Sequence, residues 1–216
     1  MQNKYDGVFF DFDGTVADTS KGIYRSVDYA ADALGKPRLD AVNKRYFIGP
    51  PIFDSFKFKF NLSDEDAAFA VAKYRECYSN GAMFCLELYE GIFELIEDLN
   101  KTGICVAICS SKPEKYIGKI IEHFKMDKMI DLLSCPEIDL KGKSKQEMID
   151  NASEILKLDK SRILMVGDRM FDIEGAVKSG VHSCGAAYGY GSEEELINAG
   201  AEKLVYSVKE LRDYIF

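Results

Sequence analysis

Short apolar runs alternate with amphipathic helical patterns through most of the chain, and this alternation constrains the fold more than any other feature. The apolar runs lie at residues 5–10, 104–109, 163–166, 181–185 and 204–206. Segments with apolar residues at helical spacing separate most of them. Strands that are apolar throughout are buried on both faces, as in a parallel sheet covered by helices. The sequence therefore predicts an α/β fold with a doubly wound, Rossmann-like parallel sheet.

One segment, residues 16–82, departs from this alternation. It contains two clear helical patterns, one after Ser20 and one after Ser63, and no convincing strand. We therefore predict an all-helical domain at residues 16–82, inserted directly after the first strand. The predicted α/β core consists of residues 1–15 and 83–216.

The composition excludes several classes of function. There are 36 acidic and 28 basic residues, so the formal net charge is −8. This charge opposes nonspecific binding to nucleic acid or to an anionic membrane. The chain shows neither a signal-peptide pattern nor an apolar run of about 18 residues. The six cysteines lack Cys-x-x-Cys spacing, which argues against a zinc site. We expect a cytoplasmic protein that binds neither nucleic acid nor membranes.

Acidic side chains follow two of the predicted strands. Asp11 and Asp13 come directly after the first strand, and Asp168 and Asp172 follow the strand at residues 163–166. Parallel sheets bind ligands beyond the carboxyl ends of their strands, where we expect these carboxylates to meet. Carboxylate oxygens suit Mg²⁺, which also binds substrate phosphates. A carboxylate can also attack phosphorus and form an aspartyl-phosphate.

Hydroxyl and ammonium groups are predicted at the same edge. Ser110 and Ser111 follow the second strand, and a lysine-rich loop at residues 141–145 precedes a predicted helix. Such groups reduce the repulsion between a carboxylate and a phosphate and favour the transition state. An acid two residues beyond the nucleophile could protonate the leaving oxygen. The residues thus predict phosphoryl transfer.

Two other motifs are excluded. Gly142-Lys143-Ser144 lacks the upstream glycine of a Walker A loop, because Glu137 occupies that position. The absence of a Gly-x-Ser-x-Gly motif argues against a serine hydrolase.

Several segments together resemble the haloacid dehalogenase superfamily of phosphohydrolases. The run Asp11-Phe12-Asp13-Gly14-Thr15-Val16-Ala17-Asp18-Thr19 resembles the first motif of that family. Ser110-Ser111-Lys112-Pro113 is similar to the second motif, and Gly167-Asp168 with Asp172 is similar to the fourth. Residues 47–51 and 189–196 resemble sequence segments that are typical of the phosphoglycolate phosphatase branch.

The resemblance implies a role for each motif residue. Asp11 would be the nucleophile and a Mg²⁺ ligand. Asp13 would be the general acid and base, and would bind the metal through its backbone carbonyl. Ser110 would hydrogen-bond the phosphoryl group. Asp168 would hold the metal, and Asp172 would support it.

The lysine that neutralises the phosphate is open to three assignments, because the Lys-Pro pair usual in the family is missing. Lys141, Lys143 and Lys145 compete for the role. We favour Lys145, since some relatives place a lysine four residues before an apolar residue such as Ile149. Lys143 and Ser111 are assigned supporting roles.

Residues 16–82 resemble the helical cap of the family, which closes over the substrate and reads the leaving group. Lys44 and Arg45 are the cap residues predicted to contact substrate.

The predicted function is that of a Mg²⁺-dependent phosphomonoester hydrolase of the phosphoglycolate phosphatase type, acting on a small phosphorylated metabolite. A nucleoside monophosphate phosphatase and a phosphomutase similar to β-phosphoglucomutase remain as alternatives. A phospho-accepting receiver-type switch module is a third, although receivers are usually about half this length and lack a helical insert. Dehalogenase activity would have no use for an acid at Asp13.

Overall fold

The computed structural model describes residues 3–137 and 143–216. The chain forms two compact units. The core unit comprises Met1–Asp18 and Leu88–Phe216, and the helical unit comprises Thr19–Glu87. The predicted boundaries, after residues 15 and 82, lie slightly earlier in the chain than these.

Eight strands are present in the described residues. In chain order they are β1 (Gly7–Phe10), β2 (Ala17–Asp18), β3 (Glu87–Leu88), β4 (Cys105–Ile108), β5 (Leu132–Leu133), β6 (Ile163–Gly167), β7 (His182–Ala186) and β8 (Lys203–Val205). Six of them form a sheet in the order β5-β4-β1-β6-β7-β8, and each neighbouring pair is parallel. Strands β2 and β3 form a separate two-stranded sheet. The predicted parallel α/β sheet is confirmed.

Ten α-helices accompany these strands in the part of the chain that the structure describes. They are α1 (Ser20–Ala33), α2 (Ala41–Arg45), α3 (Ile52–Phe60), α4 (Asp64–Ser79), α5 (Ile92–Lys101), α6 (Glu114–His123), α7 (Lys145–Leu156), α8 (Met170–Ser179), α9 (Glu193–Asn198) and α10 (Val208–Ile215). Two short 3₁₀ turns lie at Ala82–Phe84 and Lys160–Arg162. None of the helices within residues 3–137 and 143–216 is both long enough and apolar enough to cross a bilayer.

The register of the central strands brings their carboxyl ends to one edge. Phe10, the last residue of β1, lies beside Ile108 of β4 on one side and Val166 of β6 on the other. The Asp11 N–H donates to the carbonyl of Val166 at 2.9 Å, and the Cys109 N–H donates to the carbonyl of Phe10 at 2.8 Å. The residues that follow β1, β4 and β6 therefore leave the sheet side by side.

The core of this sheet is apolar on both faces, because β1 and β6 are buried along their whole length. On one face, Phe9 and Met165 pack in a cluster with Met148, Ile149 and Ala152 of α7. This packing fixes the start of α7 relative to the strand ends.

The helical unit has its own core. Five aromatic rings pack in it, from Phe47, Phe56, Phe60, Tyr74 and Tyr78. Helix α4 begins after Ser63 as predicted, because the Ser63 hydroxyl accepts the N–H of Asp66 at 3.1 Å. The prediction that residues 16–82 contain no strand is wrong at Ala17–Asp18, which form β2. A two-residue strand leaves no periodic signal in a sequence.

Candidate active site

Three carboxylates lie together beyond the ends of β1 and β6. Asp11 follows β1, Asp168 follows β6, and Asp172 lies in the first turn of α8. One oxygen from each lies within 4.8 Å of the others, and all three residues are buried. Like charges this close repel one another strongly away from bulk water. The cluster therefore needs compensating positive charge.

Lys145 supplies part of that charge. Its Nζ lies 3.0 Å from Asp11 Oδ1 and 2.7 Å from Asp172 Oδ1, and it donates to the carbonyl of Cys109 at 2.6 Å. A Cβ at Gly175 of α8 would lie 2.8 Å from the Lys145 side chain, so a glycine is needed for the stem to pass. Lys145 is the lysine that the sequence favours for phosphate binding. Its ammonium group lies against Asp11, the predicted nucleophile.

The start of α7 is built to present this lysine. Ser144 caps the helix: its hydroxyl accepts the N–H of Glu147 at 3.2 Å, and the Glu147 carboxylate accepts the N–H of Ser144 at 2.7 Å. The next residue, Lys145, is therefore the first of the helix. Lys143 is exposed, and Lys141 lies outside the described residues.

The electrostatics of the cluster remain unbalanced. Burial alone would lower the pKa of Lys145, but the charges of Asp11 and Asp172 outweigh it and raise that pKa. Burial, together with the charges of Asp172 and Asp11, raises the pKa of Asp168 well above 3.8. Burial also raises the pKa of Asp172, although Lys145 opposes this. The three carboxylates thus carry more negative charge than Lys145 alone offsets, and hard oxygen ligands with excess negative charge fit a cation such as Mg²⁺.

Asp13 lies against a different lysine. Lys112 Nζ is 2.7 Å from one Asp13 carboxylate oxygen and 2.9 Å from the other. The two side chains are only 6% and 12% exposed, respectively. No role of its own was predicted for Lys112. The available signal was its position four residues beyond the end of β4, because β4 and β1 are neighbours in the sheet.

The two serines after β4 differ in exposure. Ser110 is buried at the strand end, beside the edge where Asp11 leaves β1, whereas Ser111 is exposed. The Ser110 hydroxyl accepts the N–H of Lys112 at 3.4 Å, which is a long contact. The buried hydroxyl therefore lies at the same sheet edge as the predicted nucleophile.

Residues 8–186 match the family model of the haloacid dehalogenase-like hydrolases. The chain belongs to that family. It is 35% identical to a 5'-nucleotidase of Pseudomonas aeruginosa, over 89% of this chain and 87% of that one. It is 26% identical to a phosphoglycolate phosphatase of Vibrio parahaemolyticus, over 96% of this chain and 95% of that one.

A solved structure, described as a predicted phosphatase from Clostridium acetobutylicum, superimposes with a TM-score of 0.90 at 36% identity and covers 98% of each chain. The haloacid dehalogenase-like relatives and structures include several phosphatases. The resemblance seen in the motifs is confirmed, and so is the prediction that this chain is a phosphatase.

The segment Tyr188–Gly191 overlaps residues 189–196, which the sequence marked only as typical of one branch of the family. The Tyr190 N–H donates to Asp168 Oδ2 at 2.7 Å, and the Tyr190 hydroxyl donates to Asp18 Oδ1 at 2.6 Å. The Tyr188 hydroxyl donates to the carbonyl of Thr15 at 3.0 Å. The segment therefore connects the first and fourth family motifs.

The substrate-contact candidates of the cap lie on α2, in the helical unit. Lys44 Nζ pairs with Asp28 Oδ2 at 2.6 Å, and Arg45 is exposed. Their contact with substrate stays a prediction.

Proposed function

We propose that this phosphatase is a Mg²⁺-dependent phosphomonoester hydrolase that works through an aspartyl-phosphate on Asp11. The observation that carries the proposal is the position of Asp11. Its carboxylate shares a buried cluster with Asp168 and Asp172, and lies 3.0 Å from Lys145 Nζ. A carboxylate beside an ammonium group and two further metal-type ligands is suited to attack an anionic phosphate.

Asp11 and Asp168 would hold the ion, with Asp172 in support and the Asp13 carbonyl as a further ligand. Mg²⁺ bound there supplies positive charge that offsets the repulsion between the Asp11 carboxylate and the phosphate. Lys145 and the hydroxyl of Ser110 contribute to the same compensation by binding phosphoryl oxygens.

The proposed reaction has two steps on this chain. In the first, an Asp11 oxygen bonds to phosphorus, the bond to the leaving oxygen breaks, and Asp13 gives that oxygen a proton. In the second, Asp13 takes a proton from water as the water oxygen attacks phosphorus. The bond to Asp11 then breaks and inorganic phosphate leaves.

For the substrate, we propose a small phosphorylated metabolite of the phosphoglycolate type. Two observations support this choice. Residues 47–51 and 189–196 resemble segments typical of phosphoglycolate phosphatases, and one relative, 26% identical, is named a phosphoglycolate phosphatase. A nucleoside monophosphate is the second candidate, because the relative at 35% identity is named a 5'-nucleotidase.

A two-part experiment tests the proposal. Phosphate release from an aryl phosphate is measured with Mg²⁺ and with a chelator, for the natural chain and for Asp11→Asn. We expect activity only with Mg²⁺ and a loss of at least about 10³-fold in the variant, because an amide is not a nucleophile. Full activity of Asp11→Asn would contradict the mechanism.

The second part compares substrates at saturating Mg²⁺. A panel of 2-phosphoglycolate, nucleoside 5'-monophosphates and hexose phosphates is ranked by kcat/KM. The highest value on 2-phosphoglycolate supports the first candidate, and the highest value on nucleotides supports the second. Isomerisation of a hexose phosphate with a bisphosphate requirement would instead indicate a phosphomutase. A single stoichiometric phosphorylation without turnover would indicate a switch module.

A further inference from the structure

Tyr190 touches two motifs that are far apart in the sequence. Its main-chain N–H donates to Asp168 Oδ2 at 2.7 Å, and its hydroxyl donates to Asp18 Oδ1 at 2.6 Å. Asp168 follows β6, whereas Asp18 ends β2. A buried carboxylate that accepts a short main-chain hydrogen bond has one oxygen fixed in direction.

The two glycines that flank Tyr190 leave no space between this segment and Asp168. A Cβ on Gly189 would lie 2.4 Å from the Asp168 Cβ, and one on Gly191 would lie 1.9 Å from the Asp168 carbonyl oxygen. On the other side, a Cβ on Gly14 would lie 2.6 Å from Cδ2 of the Tyr190 ring. The backbone of the segment is therefore packed directly on the aspartate, with the ring held against the loop after β1.

We propose that Tyr190 is a positioning residue for the metal-binding carboxylate of Asp168, and that Asp18 anchors it through its phenol. The Tyr190 N–H then holds Oδ2 in a fixed direction, while the phenol keeps the N–H in place. The proposal rests on the proposed function in one respect, that Asp168 binds Mg²⁺. Partners that orient a metal ligand change metal affinity by about 10- to 100-fold when they are lost.

The test measures Mg²⁺ binding to the full chain by titration calorimetry, with Mg²⁺ as the only ligand and no substrate present. Tyr190→Phe removes the hydroxyl and keeps the N–H. Tyr206→Phe is the matched control, because Tyr206 is exposed and its hydroxyl donates to Glu193 at 3.1 Å. We expect Tyr190→Phe to raise the Kd for Mg²⁺ about tenfold and Tyr206→Phe to leave it unchanged.

Two substitutions of Asp18 examine the anchor. Asp18→Ala removes the acceptor and should raise the Kd for Mg²⁺ as much as Tyr190→Phe does. Asp18→Asn keeps an acceptor oxygen and should restore affinity close to that of the natural chain. The double variant, Tyr190→Phe with Asp18→Ala, should bind Mg²⁺ no more weakly than either single variant, because both remove the same hydrogen bond.

Turnover provides the second readout. In Tyr190→Phe, the Mg²⁺ concentration for half-maximal activity should rise, while kcat at saturating Mg²⁺ stays near that of the natural chain. A general loss of structure would instead lower kcat and the thermal midpoint at every Mg²⁺ concentration.

Natural affinity in both Tyr190→Phe and Asp18→Ala would overturn the inference and leave the proposed function intact. A natural chain that does not bind Mg²⁺ would overturn the proposed function itself. If Tyr190→Phe proves too unstable to assay, the comparison of Asp18→Ala with Asp18→Asn decides the question alone.

Discussion

The ion pairs of the core unit and those of the helical unit differ in burial. At the sheet edge, Lys145 and Asp172 are 2.7 Å apart, and their side chains are only 7% and 1% exposed. In the helical unit, Arg38 and Asp32 are 2.6 Å apart, but their side chains are 61% and 50% exposed. The distances are similar, yet water screens the second pair and not the first. Distance alone therefore does not identify the charges that carry chemistry.

The largest effect should follow from breaking the buried cluster. Lys145→Ala leaves Asp11 and Asp172 without their ammonium partner, so turnover should fall by about 10²-fold or more. In metal-free buffer, the free energy of unfolding should fall by about 3–5 kcal/mol, because a buried charge has lost its partner. Steady-state kinetics and urea unfolding check the two effects.

Lys143→Ala is the comparison variant for that experiment. Lys143 is exposed, so we expect its loss to change kcat little. Normal turnover of Lys145→Ala, or a large loss of turnover in Lys143→Ala, would show that Lys145 is not the phosphate-binding lysine.

A smaller effect is expected at the second buried pair. Lys112→Met frees the Asp13 carboxylate from the ammonium that holds both its oxygens, so proton transfer to the leaving oxygen should become less effective. Turnover of an alkyl phosphate should fall by roughly tenfold. Turnover of an aryl phosphate should fall less, because a phenolate leaves without needing a proton. Equal losses of turnover for both substrates would show that Lys112 does not act through Asp13.

The pH dependence of stability sharpens the comparison further. The pKa values of Asp168 and Asp172 are raised above 3.8, chiefly by burial. A carboxyl group with a raised pKa holds its proton more tightly in the folded state. In the metal-free protein, the stability that these two carboxyl groups contribute should therefore be lost as the pH rises above about 4, the usual pKa of a carboxyl group in an unfolded chain.

Mg²⁺ should reverse that loss. At 100 times its Kd, Mg²⁺ should raise the free energy of unfolding by about 2.7 kcal/mol near pH 7.5. At pH 5 the rise should be smaller, since protons compete for the same oxygens. Thermal unfolding with Mg²⁺ or with a chelator at the two pH values measures this. An equal stabilisation at both would argue that the ion binds elsewhere.

The smallest effect is expected for the exposed pair. Asp32→Asn removes the partner of Arg38, but solvent screens that interaction and salt weakens it further. We expect no measurable change in the thermal midpoint or in kcat. A large change in the thermal midpoint would show that exposed pairs of the helical unit contribute more than their screening allows.

The sequence predicted most of the sheet, because a buried parallel strand leaves an unbroken apolar run. Four runs correspond to β1, β4, β6 and β7, and a fifth to β8. Strands β2, β3 and β5 were missed since each has two residues, too few for a pattern. Helix α9 was missed as well, because its six residues span less than two turns.

The location of the candidate site was predictable where it follows from position in the fold. Asp11 and Asp168 stand directly after strands, so the rule that ligands bind at strand ends locates them. Lys112 and Tyr190 were not assigned a role, because the role proposed for each depends on the residues that it contacts. Lys112 pairs with a residue 99 positions away, and the Tyr190 hydroxyl bonds to one 172 positions away. Contacts of that separation depend on side-chain packing that no local pattern reports.

The hydrogen bonds that join β1 to its neighbours have a further consequence. The amide of Asp11 is bonded to Val166 and that of Cys109 to Phe10, in the middle of the sheet. Amide hydrogens held in this way exchange with deuterated solvent only when the central strands separate. The strand ends that carry the proposed active site are thus among the last parts of the molecule to open. Inactivation by denaturant should therefore coincide with the cooperative unfolding of the whole sheet.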